Sequence, residues 1–399
     1  MTNEQDMVLL LLKKSLFPDS EQGGTNSDLI DNCEQVNRNA VFYEVQQQAV
    51  VGVTAEQAVS FPLISDELKE RWRKASLSQV TFYCQLLYCQ NNLIQLLRNN
   101  KIPMAILKGC GAAMYYPKPE NRAMGDVDFL VKTEDFDKAY CLMLEDGYVL
   151  ARDEDNVDYH YTLEKNGILF ELHRWPAGMK EGDKYLNELF QQGLDNIEEI
   201  TLDGYKIPIL PKLQNGLVLM LHIVKHLRSG LGFRQIIDWM MYVDKCLDDR
   251  AWVEYESIYI KAGLKPLAVT VTKMCQIYFG LSEDITWCRE GENDLCRELM
   301  EYVILKGNFG HKENSEEAKT VNTLVRSGGI IAKVKDLQKS GCRNWNLSKK
   351  YPALRVFAWG YQLFRYASHM IKNPKRIINL KGDIEESSRR KKMFTRLGQ

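Results

Sequence analysis

The sequence predicts an α+β fold, in which a small mixed β-sheet core carries flanking helices and is followed by a mainly helical C-terminal half. Short apolar runs bounded by turn residues occupy residues 101–210, whereas apolar side chains before and after them recur at three- and four-residue spacing. A chain of 399 residues with 45% hydrophobic content can bury a sizeable core. We therefore expect two or three domains.

Changes in this pattern divide the chain into four segments. We expect a helical N-terminal region over 1–100 that packs on the core, the α/β core over 101–210, a helical domain over 211–380 that closes a cleft, and a basic tail over 381–399. Between 211 and 380, six runs of helical spacing predict helices over 212–228, 234–247, 249–261, 265–279, 293–306 and 351–372.

In the first segment, the spacing of apolar residues predicts helices over 41–50 and 77–99, with a loop at 23–27. The run Val8–Leu12 follows acidic residues rather than the basic residues of a signal peptide, so it predicts a buried or amphipathic first helix. One apolar stripe is predicted to be core rather than a ligand-binding surface; its members are Phe82, Leu86, Leu87, Ile94 and Leu97.

Composition limits the expected partners and compartment. The formal net charge is −1, which gives no overall attraction to nucleic acid or to an anionic membrane. The clearest basic run, Arg389–Lys392 with Arg396, is interpreted as a solvated tail. Ten cysteines are scattered without a Cys-x-x-Cys pair, and no apolar stretch reaches the roughly 18 residues that span a bilayer. We therefore expect a soluble, cytoplasmic protein with no membrane span.

A strand, a glycine turn and a helix start follow one another early in the α/β core. The run Ile102–Leu107 predicts a strand that ends at Lys108 and Gly109, and Cys110–Met114 predicts the start of a helix. Small residues at such a turn let backbone N–H groups approach an anion, and Lys108 and Arg122 could add positive charge. We expect a phosphate-binding site at this turn; the alternative is an ordinary turn that needs glycine at positive φ.

Two carboxylates follow this turn. Asp126 and Asp128 are separated by Val127 and precede the apolar run Phe129–Val131, and in a strand residues i and i+2 point to the same face. Like charges side by side repel, so the arrangement normally needs a cation between them or a shared proton. Mg²⁺ takes hard oxygen ligands from one or two carboxylates, and we expect it, or Mn²⁺, at this strand.

A hairpin further along supplies a third acid. Runs at 159–163 and 168–173 meet near Asn166-Gly167, a strong hairpin signal, and their alternation places Glu171 and His173 on one face. If this strand lies beside the Asp strand, Glu171 can complete a cluster of three carboxylates, which suits two metals that clamp a displacement at phosphorus. Without that neighbour, Glu171 is an ordinary surface residue of a strand.

The helical segment follows a second hairpin signal at Asp203-Gly204 and adds two polar pairs. His222 and His226 lie at i and i+4, as do Arg234 and Asp238. Zinc is not expected, because the glutamate of a His-Glu-x-x-His site is absent. Two interpretations stay open. The pairs line the substrate side of a cleft and contact phosphate or base, or they are interhelical hydrogen-bonding histidines and a helix-surface ion pair.

Together these motifs resemble the uncharacterised nucleotidyltransferase family of the DNA polymerase β-like superfamily, over roughly residues 37–245. The residues that carry the resemblance are Leu107-Lys108-Gly109, Tyr116-Pro117, Arg122, Gly125–Val131, Glu171–His173 and the stretch from His222 to Asp238. The resemblance implies a metal-dependent enzyme that moves an NMP unit from an NTP, such as ATP, to an acceptor hydroxyl and releases pyrophosphate.

The family's site residues carry over one at a time. Gly109 matches the glycine that begins the phosphate-binding turn, Asp126 and Asp128 match the metal-binding pair, and Glu171 matches the third acid, which helps to deprotonate the acceptor. The usual Gly-Ser or Gly-Gly is Gly109-Cys110 here, which removes a serine that often touches phosphate. The expected nucleotide-binding residues are Lys108, Gly109, Arg122, His222, His226 and Arg234.

Two other functions are compatible with the same sequence. The first is a non-catalytic nucleotide- or sugar-phosphate-binding protein associated with polysaccharide or envelope assembly. The second is a toxin-like nucleotidyltransferase that modifies tRNA or protein, and it follows from fold analogy alone. A basic groove beside the acids would favour the second.

Overall fold

The computed structural model describes residues 1–18, 36–151, 160–180, 182–227 and 229–308, together with parts of 337–372 and 385–399. The predicted loop at 23–27 lies outside the described residues. The chain forms two compact units, of which the first comprises Met1–Lys312 with Leu397–Gln399 and the second comprises Glu313–Arg396. The division at residues 100, 210 and 380 stays a prediction.

Within the described residues, seven strands of the first unit form one mixed sheet in the order β3-β4-β5-β2-β1-β7-β6. Strand β2 pairs antiparallel with β1 and parallel with β5, and β1 pairs parallel with β7. The α+β prediction is thereby confirmed. The strands are β1 (Met104–Ile106), β2 (Val127–Val131), β3 (Val149–Leu150), β4 (His160–Lys165), β5 (Ile168–His173), β6 (Glu198–Leu202) and β7 (Tyr205–Ile209).

Both predicted hairpins are present. Strands β4 and β5 join at Asn166 and Gly167, whose φ angles are 55° and 75°, and β6 and β7 join at Asp203 and Gly204, at 46° and 82°. Two successive positive φ angles give a two-residue turn whose twist matches that of the strands, and Asn, Asp and Gly tolerate this backbone best. Local turn chemistry therefore sets the register of both outer parts of the sheet.

Helices of the first unit precede or alternate with the strands in the chain, and of these α4 (Asp66–Asn99) and α6 (Phe136–Glu145) pack on one face of the sheet. In α4, Ser65 caps the N-terminus by accepting a hydrogen bond from the N–H of Leu68. Buried side chains of this helix pack with those of α6 on β1, β2 and β5, and the predicted stripe of α4 lies in or against this core. These helices are α1 (Asn3–Leu16), α2 (Arg38–Gln47), α3 (Val51–Ser60), α4 (Asp66–Asn99), α5 (Cys110–Ala113), α6 (Phe136–Glu145) and α7 (Lys184–Asp195).

The chain after the sheet is helical as predicted, with bounds that agree to within one residue as far as Lys306. Its helices in the first unit are α8 (Lys212–Leu227), α9 (Phe233–Cys246), α10 (Asp249–Lys261), α11 (Lys265–Phe279) and α12 (Asn293–Lys306). In the second unit a 3₁₀ turn over Pro352–Phe357 leads into α13 (Ala358–Lys372). No helix of the described residues is long and apolar enough to cross a membrane.

The interpretation of the basic run as a solvated tail is wrong in part. Residues 388–396 are helical, and Arg390, Met393 and Phe394 are buried. The buried residues Arg390, Met393, Phe394 and Leu397 recur at i, i+3, i+4 and i+7, which is the spacing of a helix with one covered face. The first helix is buried as predicted, through residues such as Val8 and Leu12.

Candidate active site

The turn after β1 brings Lys108 to the sheet face opposite the α4 core. Gly109 follows with φ 56° and ψ −114°, a conformation that a residue with a Cβ rarely adopts, although a Cβ there would meet no atom within 4 Å. Glycine is thus required by the backbone and not by crowding. Helix α5 has only four residues, so the helix dipole expected at this turn is small.

The register of β2 and β5 brings two acids together. Asp128 lies directly opposite Glu171 in this parallel pair. Because side chains alternate along a strand, Phe129 and Phe170 enter the α4 core while Asp128 and Glu171 lie on the other face. Lys108 reaches this face, and its Nζ lies 2.6 Å from Asp128 Oδ1.

His173 lies between the two acids. Its Nε2 is 2.9 Å from Asp128 Oδ1 and 3.2 Å from Glu171 Oε2. Beside a carboxylate this nitrogen must carry the proton, and one N–H makes one good hydrogen bond, here to Asp128. Glu171 Oε2 is consequently buried without a hydrogen bond from any described residue. We call Lys108, Asp128, Glu171 and His173 the acid cluster.

Opposite charges in the acid cluster offset the cost of burial. Burial raises the pKa of Asp128, but Lys108 and His173 lower it more, and the carboxyl is ionised. Burial likewise raises the pKa of Glu171, yet the contact with His173 brings it down to about 2. Burial lowers the pKa of His173, but both carboxylates raise it above its usual value. The acid cluster therefore holds two ionised carboxylates beside the positive charges of Lys108 and His173.

Asp126 lies just outside the strand, since β2 begins at Val127. Its side chain is half-buried, and it lies close enough to act on the cluster. Burial lowers the pKa of Lys108, and the charges of Asp128, Asp126 and Glu171 together raise it above its usual value. Asp126 therefore lies near the acid cluster, but outside the strand that carries Asp128.

Divalent metal fits this donor set. Ligand atoms of Asp128, Glu171 and His173 all lie within 4.8 Å of one another. Carboxylate oxygens are the ligands that Mg²⁺ and Mn²⁺ prefer. The buried Glu171 Oε2 accepts no well-aligned hydrogen bond from the described residues, although His173 Nε2 lies 3.2 Å away. Asp128 and Glu171, two of the three acids predicted from sequence, belong to this group together with His173, to which no metal role was assigned, whereas Asp126 does not belong to it.

Arg122, expected at the phosphates, instead pairs with a helix. Its Nε and Nη2 donate to the two oxygens of Asp238 in α9 at 2.8 and 2.7 Å, and the Tyr116 hydroxyl donates to Asp238 Oδ1 at 2.7 Å. Arg122 and Asp238 are both buried. The interpretation of Arg234 and Asp238 as a helix-surface pair is therefore wrong, because the side chain of Asp238 faces inward to Arg122.

The two histidines of α8 face the same region. His222 and His226 are buried, with ring centroids 4.6 Å apart in an edge-to-face arrangement. Burial and then positive charge, including that of Lys108, lower the pKa of both, to about 3 for His226. Both imidazoles are thus neutral and lie near enough to Lys108 to be affected by its charge.

Arg234 begins α9 beside the loop that carries Asp126. Its Nη1 donates to the carbonyl of Ala123 at 3.3 Å. Burial, followed by the charge of Arg122, lowers the pKa of Arg234, while Asp238 and Asp126 raise it. Arg234 therefore places a guanidinium near Asp126.

Two residues of this region were missed in the sequence. His173 was placed on the face of Glu171 but given no role, although period-two alternation in β5 already joined the two. Tyr116 and its bond to Asp238 could not be found, because 122 residues separate the partners and no local pattern links them.

Comparison with known proteins agrees with this geometry. The family model of the uncharacterised nucleotidyltransferases matches residues 34–280, which include the whole sheet, the acid cluster and helices α8 to α11. No curated protein matches the chain. Because the match spans more than half of the chain and contains each of the residues described above, the protein belongs to the family of uncharacterised nucleotidyltransferases.

Proposed function

We propose that the protein is a metal-dependent nucleotidyltransferase that transfers an NMP unit from an NTP to an acceptor hydroxyl. The oxygen of the hydroxyl attacks the α-phosphorus, the bond to the β-phosphate oxygen breaks, and pyrophosphate leaves with that electron pair. The proton of the hydroxyl passes to a base or to solvent. Membership of the family supports nucleotidyl transfer, and the site residues below are our assignment.

The observation that carries this proposal is the register of β2 and β5. It sets Asp128 opposite Glu171, within reach of the turn at Lys108 and Gly109 and close to Asp126. Three acids beside a positively charged glycine turn suit a metal–triphosphate better than either component suits it alone.

In this proposal Asp126, Asp128 and Glu171 hold Mg²⁺ or Mn²⁺. The bound ion would neutralise charge on the phosphates and lower the pKa of the attacking hydroxyl. Glu171, with a pKa of about 2, is a weak proton acceptor and is better suited to hold a metal than to act as the general base. Lys108 and His173 keep the acids ionised until the ion binds.

The remaining assigned residues act on the nucleotide. The backbone at Gly109 and the side chains of Lys108 and Arg234 contact the phosphates, and the neutral His222 and His226 contact phosphate or base through uncharged hydrogen bonds. Arg122 acts indirectly, since its guanidinium is held by Asp238.

The test uses NTPs labelled at the α- or the γ-phosphate. With Mg²⁺ or Mn²⁺, the protein is incubated with a cell extract separated into protein, RNA and small-molecule fractions as acceptors. Label should enter one fraction from the α-position only. Asp126→Asn and Asp128→Asn should lower the transfer at least about a hundredfold, while the exposed-residue control Asp195→Asn leaves it unchanged. Undiminished transfer by the Asp126 and Asp128 variants would remove the metal site from the proposal.

One observation favours the non-catalytic alternative. Lys108 and His173 already compensate the charges of Asp128 and Glu171, so the acids can lie together without a metal or a reaction. In that case NTP would bind to the protein, and no α-label would reach any acceptor fraction.

A further inference from the structure

Charge is strongly segregated along the chain. Residues 313–396 contain 19 lysines and arginines against 7 aspartates and glutamates, a net charge of +12. The remaining residues contain 33 against 46, a net charge of −13. The overall charge of −1 conceals this division. The boundary coincides with that of the second compact unit, so one folded unit of the protein carries nearly all of the excess positive charge.

In this unit, the described part of α13 packs inward through Ala358, Tyr361 and Gln362. Ala358 and Gln362, one turn apart in α13, are buried. A Cβ on Gly341 would lie 1.9 Å from the carbonyl oxygen of Ala358, so the backbone at Gly341 lies directly against the helix. Trp345 stacks on Tyr361 with ring centroids 5.2 Å apart. These contacts fix which side of the helix faces its own unit.

The outer face carries large apolar residues instead. Exposed fractions are 68% for Val356, 62% for Phe357, 42% for Trp359, 44% for Leu363 and 71% for Phe364. Val356 and Phe357 end the 3₁₀ turn, and Trp359, Leu363 and Phe364 follow in α13. Val356, Trp359 and Leu363 recur at i, i+3 and i+7, and Phe357 and Phe364 at i and i+7, a spacing that places them along one side. We call these five residues the apolar stripe.

The hydrophobic effect favours burial of Phe and Leu ahead of Ala and Gln, yet in the described part of this helix Ala358 and Gln362 are buried while Leu363 and Phe364 are exposed. A group of exposed large apolar residues on one side of a helix is typical of an interaction site on a folded protein. Arg355 and Arg365, both exposed, lie within the stretch that carries the apolar stripe.

We propose that the apolar stripe binds the surface of an anionic phospholipid membrane. Phe357, Trp359 and Phe364 would enter the boundary between headgroups and acyl chains, with the helix in the plane of the surface. The basic residues of the unit supply the attraction to lipid phosphates, which acts over about one Debye length. The charge of +12 is complementary to such a surface.

Lipid fits the stripe better than nucleic acid does. Single-stranded nucleic acid stacks its bases on aromatic rings, which would use Phe357 and Phe364 but leaves Val356 and Leu363 without a partner. A lipid surface takes aliphatic and aromatic side chains alike. This inference does not depend on nucleotidyl transfer.

The experiment is co-sedimentation of the full-length protein with vesicles of phosphatidylcholine alone or mixed with phosphatidylglycerol. The double variant Phe357→Glu/Phe364→Glu removes the stripe at two exposed positions. Val253→Glu/Ile260→Glu is the matched control, since these residues of α10 are also separated by seven positions and are 77% and 55% exposed. Far-UV circular dichroism checks that each variant is folded.

We expect binding to the anionic vesicles only, and about tenfold or more weaker binding at about 0.5 M salt. The Phe variant should bind at least about tenfold more weakly, and the control variant as wild type. Trp359 should shift its fluorescence to the blue on binding, which a Trp359→Phe variant lacks. Equal binding by the Phe variant, or no binding to anionic vesicles, overturns the proposal. RNA binding that the Phe variant loses, without vesicle binding, would assign the stripe to nucleic acid.

Discussion

Two buried charge clusters of the first unit differ in how their carboxylates are satisfied. In the Arg122–Asp238 pair, each oxygen of Asp238 accepts a hydrogen bond from the guanidinium, and Tyr116 adds a third. In the acid cluster, Lys108 and His173 both contact one oxygen of Asp128. Glu171 Oε2 lies beside His173 without a hydrogen bond from a described residue.

The difference distinguishes an ion pair that stabilises the fold from a cluster that can bind a ligand. A buried ion pair with bidentate geometry has no ligand position left and holds its elements together. Here it ties the loop before Asp126 to α9. A cluster that leaves a buried carboxylate oxygen without a hydrogen bond is stable enough to fold but is improved by a cation. We therefore assign the pair to the scaffold and the acid cluster to the ligand.

The largest expected effect is on the Arg122–Asp238 pair. Asp238→Asn leaves the Arg122 guanidinium buried without a counter-charge, and we expect the free energy of unfolding to fall by about 3–5 kcal/mol. Urea denaturation measures this. The control is Glu199→Gln, which breaks a pair with Arg98 that is nearly half exposed on both sides; it should cost less than about 1 kcal/mol. Equal losses of unfolding free energy in the two variants would show that the Arg122–Asp238 pair does not hold the scaffold together.

Local patterns in the sequence predicted most of the fold. The turns at Asn166-Gly167 and Asp203-Gly204, the period-two alternation in β5 and the helical spacing after Pro211 all report contacts within a few residues, and each was found. The partner of Asp238 was not. Spacing suggested Arg234 at i−4, whereas the partner is Arg122, 116 residues away. Such a pair exists only because α9 packs on the loop before β2.

The candidate site was predictable to a similar extent. The acids, Lys108 and Gly109 were recognised from their motifs, because a strand followed by a glycine turn has a local signature. The position of His173 between two carboxylates depends on the β2–β5 register, and no local sequence pattern determines that register. The excess positive charge of residues 313–396 is present in the sequence, but only its last basic run forms a local motif, since the other basic residues are dispersed.

A second prediction sharpens the comparison at the turn that carries Lys108 into the acid cluster. Gly109→Ala forces an L side chain to φ 56° and ψ −114°, and we expect a loss of about 1–3 kcal/mol in unfolding free energy. Gly125→Ala is the matched control, because a Cβ there also meets no atom within 4 Å and its φ is not positive. A loss of the same size in both variants would contradict a backbone requirement at Gly109.

The smallest effect concerns His226, which is buried beside Lys225 and near Lys108 of the acid cluster. Burial and the charges of Lys225 and Lys108 lower the pKa of His226 to about 3 in the folded protein, against about 6.5 when unfolded. Below pH 6.5 the unfolded state therefore binds more protons, and stability is lost as the pH falls from about 6.5 towards 3.

Compared with His226→Gln, the wild-type protein should lose about 1.4 kcal/mol more stability between about pH 7.5 and about pH 5.5. Urea denaturation of both proteins at the two pH values measures the difference. Stability curves that run parallel over this range would mean that His226 titrates normally in the fold.

The most direct test of the central claim is thermal unfolding with ATP, GTP, CTP or UTP, each with and without Mg²⁺. A ligand that binds only the folded state raises Tm by mass action. If the acid cluster and Asp126 take a metal–nucleotide, one NTP raises the Tm of the wild-type protein only with Mg²⁺, and Asp126→Asn/Asp128→Asn abolishes the shift. A shift that persists in this double variant, or none with any NTP in the wild-type protein, would contradict the assignment of the acid cluster to the ligand.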